Sequence, residues 1–193
     1  MVPADVSGPH PNVRMIERRA LATAVRAQGR RLVGYAASFG TPAEIDGRFV
    51  ETIRAGAFAD TLGKRDDVLA LVDHDASKLL GRTASGTLRL AEDARGLAFE
   101  VDVPPTTLGN DVLAMAERGD LGGMSFGFRT LADHWTDQRT RELRSVQLVE
   151  VSVVHAFPAY GGTSVMARGG RQKMVTGAVT VSAARRRRLV EAL

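Results

Sequence analysis

The 193-residue chain contains no cysteine. That absence excludes a disulfide framework, a thiolate nucleophile and any cysteine-ligated zinc or iron–sulfur centre. Aromatic residues are scarce, at 5% with a single tryptophan. Long apolar runs are missing too, since none approaches the roughly 18 residues that span a bilayer. The opening Met1-Val2-Pro3-Ala4-Asp5-Val6-Ser7-Gly8-Pro9-His10-Pro11 is too polar and proline-rich for a signal peptide. Together these absences predict a soluble intracellular protein without membrane contact. With 44% hydrophobic residues, the chain holds enough apolar material for one globular domain with a real core.

Charge is present but unevenly placed. The net charge is +4 with a pI near 10.1, and much of the excess lies late, in Arg168, Arg171, Lys173 and the block Arg185-Arg186-Arg187-Arg188. Such a run reads first as a solvated tail or a short amphipathic helix. It could also touch DNA or an acidic protein surface through salt-sensitive contacts. Gly169-Gly170-Arg171-Gln172-Lys173 looks like a linker. The expected organisation is a flexible N-terminus over 1–14, a folded domain over 15–168 and a basic tail over 169–193.

Between those ends the pattern is one of short strands punctuated by turns. Leu21 to Arg26 and Arg31 to Phe39 flank a hairpin turn at Gln28-Gly29. Further strands are predicted over Phe49 to Ile53, Val68 to Val72, Leu80 to Thr83, Thr87 to Leu90 and Leu97 to Val103. Ala55 to Leu62 is a short helix candidate. Thr107 to Arg118 is a better one, because Leu108, Val112, Met115 and Ala116 share a face at helical spacing and Gly119 supplies a stop. Ser145 to Val154 alternates as a buried strand would, and the polar segment Ala132 to Glu142 reads as a mobile loop.

Two residues carry chemistry. Ser125 stands in Gly122-Gly123-Met124-Ser125-Phe126-Gly127-Phe128, and His74 follows the apolar run Leu69-Ala70-Leu71-Val72 within Asp73-His74-Asp75. A serine hydroxyl is a weak nucleophile until a base takes its proton, so this pair points to a serine hydrolase. The literal Gly123-x-Ser125-x-Gly127 is also the nucleophile-elbow pattern of α/β-hydrolase esterases. That fold needs a helix directly after the serine and a late histidine, and Phe126-Gly127-Phe128-Arg129-Thr130 is a poor helix start. Glu150 is flanked by Val149 and Val151, where an unpaired carboxylate would be costly to bury, so it calls for a partner or lies on a wet face beside Arg144. His10 and His134 lie in polar segments, no spacing suits a metal, and no cofactor is expected.

Several stretches are more specific than the pair. Arg31-Leu32-Val33-Gly34-Tyr35-Ala36-Ala37-Ser38-Phe39, Ile53-Arg54-Ala55-Gly56-Ala57-Phe58, Val72-Asp73-His74-Asp75, Leu80-Gly81-Arg82-Thr83, Gly123-Met124-Ser125-Phe126-Gly127-Phe128, Val149-Glu150-Val151-Ser152-Val153-Val154 and Phe157-Pro158-Ala159 run in this order between about Glu17 and about Val165. The chain thereby resembles the prohead maturation proteases of tailed bacteriophages and related prophage and gene-transfer elements. The resemblance implies an α+β fold, a mainly antiparallel β-barrel with flanking helices, similar to the herpesvirus assembly proteases. It implies a serine endopeptidase acting in the host cytoplasm inside the immature procapsid. Its partners would be the major capsid protein and its scaffold segment, with possible self-association and self-cleavage.

The same resemblance makes Ser125 the nucleophile, His74 the base and Glu150 the acid that orients it. Two positions depart from the family pattern: asparagine is commoner where Asp73 stands, and the position of His155 is usually not histidine. The herpesvirus relatives use a second histidine as third member, which leaves His155 as the alternative to Glu150. Oxyanion donors would come from the serine turn or from the arginine-rich segment Arg139 to Arg144. The competing class is a non-enzymatic basic procapsid component that binds scaffold or DNA.

Overall fold

The computed structural model describes residues 15–155. The expected flexible N-terminus, the 169–193 tail and its basic block lie outside the described residues. Thirteen elements follow in chain order: β1 (Glu17–Leu21), β2 (Arg26–Gln28), β3 (Arg31–Ser38), β4 (Ala43–Ile45), β5 (Phe49–Ile53), α1 (Ala59–Lys64), β6 (Leu69–Val72), β7 (Asp75–Arg82), β8 (Leu88–Glu92), β9 (Gly96–Asp102), α2 (Thr107–Arg118), β10 (Gly123–Asp137) and β11 (Thr140–Val154).

Strands dominate and the class is α+β, but the expected barrel does not close. The strands form a seven-stranded sheet, β1-β10-β11-β5-β4 with β6 paired to β11 and β7 to β6, and a separate four-stranded sheet, β2-β3-β9-β8. The reason lies in β11. Its first residues pair in parallel with β5 (Thr140↔Val50) and its last with β6 (Glu150↔Leu69), so the sheet branches on one side instead of curling round to meet β1. One apolar core serves both sheets, with Leu32, Ala36, Leu97 and Val101 from the smaller and Met124, Phe126, Phe128, Val151 and Val153 from the larger. Phe126 is its hub, edge-on to Phe58 at 5.6 Å and stacked on Phe128 at 5.2 Å.

Local chemistry explains the elements that were expected. Thr106 caps α2 by accepting the Gly109 N–H at 3.1 Å, and Gly119 ends it at φ 76°. Val112, Leu113 and Ala116 turn its apolar face to the core. Gly29, at φ 59°, opens the two-residue loop between β2 and β3. No helix among the described residues is long and apolar enough to cross a membrane.

Three expectations change. The strand expected from Leu21 to Arg26 is interrupted, because residues 22–25 carry the chain from the large sheet to the small one. The first helix starts later, at Ala59, after turns over 55–58. The polar segment Ala132 to Glu142 is not a loop: β10 and β11 continue through it as one long hairpin, turning only at 138–139. Several of its charges are paired. Arg141, only 7% exposed, donates to Asp133 at 2.7 Å, to Glu17 at 2.8 Å, to Glu51 at 3.1 Å and to Thr130 at 2.8 Å.

Candidate active site

The candidate residues meet at one end of the large sheet, where β1, β6 and β11 finish and β10 begins. Ser125 is the third residue of β10. Alternation sends Met124, Phe126 and Phe128 into the core and leaves Ser125 and Gly127 on the opposite face. The serine is therefore held within a strand, paired with Ala20 of β1 and Ser152 of β11, and not in a glycine turn. This also removes the α/β-hydrolase reading, since β10 runs on to Asp137 where a nucleophile elbow requires a helix.

Glu150 reaches the same face by a bulge. Gly127 pairs with Glu150 but Phe128 pairs with Leu148, so Val149 is an extra residue that resets the alternation. Without it, Glu150 would follow Leu148 into the core. Gly127 leaves the room that the carboxylate fills: a Cβ there would stand 2.6 Å from Glu150 Oε1.

His74 occupies the two-residue loop between β6 and β7, bracketed by the pair Val72↔Asp75. Asp73 and His74 both take positive φ, 51° and 62°, as a type I′ hairpin requires. Neither is glycine, so the turn holds backbone strain of about 1–2 kcal/mol per residue, of the kind that collects where a side chain must be aimed.

From this turn His74 Nδ1 lies 2.5 Å from Glu150 Oε1. A carboxylate only accepts, so Nδ1 carries a proton and donates it to Glu150. Glu150 is 5% exposed, and its charge is met on three sides. His74 is one, the Ser152 hydroxyl donates to Oε2, and Arg18 Nε stands 3.6 Å from Oε1. Ser152, fully buried, also accepts the His74 backbone N–H at 3.3 Å. It was missed in the sequence because a serine among valines has no motif of its own; only its register opposite Ser125 shows what it touches.

The structure thus brings Glu150, and not His155, to His74. The His155 ring instead pairs with Asp73, Nδ1 to Oδ2 at 2.5 Å. Arg144, the other partner considered for Glu150, bonds Glu142. Ser125 is 1% exposed, and its hydroxyl donates to the Arg19 carbonyl at 2.8 Å rather than to the imidazole. Arg139 to Arg144 border the far turn of the hairpin, next to β5, and so cannot serve Ser125 as oxyanion donors. Among the described residues no cluster of three or more His, Asp and Glu could hold a metal ion.

A family model described as caudovirus prohead serine protease matches residues 16–176. The chain belongs to that family. The match begins one residue before β1 and covers every element of both sheets, so the whole described fold is the family's domain. No curated protein and no solved structure gives a match.

Proposed function

We propose that the chain is a serine endopeptidase that cuts scaffold and capsid-protein segments within the procapsid, itself included, with Ser125 as nucleophile, His74 as base and Glu150 as orienting acid. Family membership supports a prohead serine protease in general. The observation that carries the residue roles is the 2.5 Å His74–Glu150 bond on the sheet face that presents Ser125.

In this reading, rotation about χ1 of Ser125 exchanges the Arg19 carbonyl for His74 Nε2. The imidazole takes the hydroxyl proton as Oγ attacks the scissile carbonyl, then returns it to the leaving amine. Water hydrolyses the acyl-enzyme by the same path. Glu150 holds the tautomer and stabilises the imidazolium, while Ser152 and Arg18 hold the carboxylate in place.

The test is co-expression with the capsid precursor and mass spectrometry of the new termini. Ser125→Ala and His74→Ala should each abolish processing while the cooperative melt persists, and the double variant should be no worse than either single one, because the pair acts as a unit. Full processing by either single variant would overturn the assignment.

A further inference from the structure

A second carboxylate–imidazole pair lies back to back with the first, across the same turn. Asp73 makes three contacts with the end of β11 and the residue that follows it. Its N–H donates to the Val153 carbonyl at 2.9 Å, its Oδ1 accepts the His155 backbone N–H at 2.9 Å, and its Oδ2 meets the His155 ring at 2.5 Å. These bonds begin where the parallel β6–β11 ladder ends, at Val72↔Val153. They extend it by one residue round a turn whose two central residues both hold positive φ.

Such a turn is populated with difficulty by Asp-His, since neither residue has glycine's freedom. Something must hold it, and the His74 side chain alone has only Glu150 to fix it among the described residues. We propose that Asp73, through its clasp on His155, is the positioning residue for His74: it locks the turn against the end of β11 so that the imidazole sits over Glu150 and faces Ser125. The proposal rests on the catalytic reading above.

Charge agrees with the geometry. Partial burial pushes the Asp73 carboxyl upward, but the His155 backbone N–H, the His155 ring and the charge of Lys78 outweigh it and hold it below its ordinary value. Asp73 therefore remains an acceptor across the neutral range. The clasp is half exposed, with Asp73 at 40% and His155 at 39%, so removing it opens no core cavity.

The experiment uses the full chain with 15N-labelled histidine. It measures the ring-nitrogen spectrum and, separately, the rate at which a fluorophosphonate probe labels the serine. Asp73→Ala should slow labelling about 100-fold, the usual consequence of misplacing a reacting group by about an ångström, and should move the His74 ring signals towards those of Glu150→Gln. Asp73→Asn keeps an amide oxygen for the His155 N–H and suits the turn, so it should label within a few-fold of wild type.

Wild-type labelling and unmoved His74 signals in Asp73→Ala would overturn the proposal, as would an Asp73→Asn protein no better than the alanine variant. If Ser125→Ala labelled as fast as wild type, the nucleophile assignment would fail instead. The histidine spectra would still decide the clasp, because they need no activity.

Discussion

At the scale of single residues, the two histidines flanking the end of β11 have different partners and should have different importance. Glu150→Gln keeps the shape of the side chain but removes the charge that fixes the His74 tautomer and would stabilise an imidazolium, so cleavage should fall by about four orders of magnitude with little change in melting temperature. His155→Gln loses the ring contact to Asp73 yet keeps the backbone N–H that Asp73 also accepts, and should cost less than about tenfold. Cleavage rates of both variants beside their thermal melts make the comparison. A large loss in His155→Gln with near-normal Glu150→Gln would move the third role to His155.

At the scale of elements, the long hairpin divides into an apolar half that carries Ser125 and Glu150 and a polar half held by Arg141. Glu51 is only 2% exposed and is shared by Arg141 and Arg19, the latter through Nε at 2.6 Å. Removing one cation from such a cluster leaves a buried charge under-compensated. Arg141→Ala should therefore destabilise the fold by about 3–5 kcal/mol, read from the midpoint of urea unfolding; an unchanged midpoint would show that the hairpin's polar half is not held by this arginine. The same cluster explains what the sequence showed and what it hid. α2, β5 and β9 were legible because their apolar spacing matches their own geometry and their caps and turns are local. β1 and the polar half of the hairpin were not, because Glu17, Arg19, Asp133 and Arg141 look like solvated charges until distant strands supply their partners. Ser125, His74 and Glu150 stood out as candidates in the stretches that resemble the family, whereas the bulge at Val149 and the contacts of Ser152 and Asp73 exist only once β11 has its register.

At the scale of the whole molecule, stability leans on ionised carboxylates. Burial pushes Glu17 upward, but hydrogen bonds from Arg141 and Thr130 and the charges of Arg141 and Arg19 win, and its pKa falls from 4.5 to about 2. Asp67 and Asp102 are likewise lowered, chiefly by Arg82 and Arg89. A folded-state pKa below the unfolded one means that the stabilisation is complete above about pH 4.5 and is lost as pH falls towards 2. Melting temperature should drop steeply as pH falls from about 4.5 towards 2, and less steeply in Glu17→Gln; identical slopes would contradict this account of Glu17. The order of assembly matters as well, because β11 completes both the sheet and the site while being the last described strand to be made. A nascent chain that has already exposed His74 and Ser125 at the ribosome still lacks Glu150, Ser152 and the strand that fixes the turn. On the proposed assignment of the site, translation itself would withhold cutting activity until β11 is made, and a product ending within β10 would be inactive.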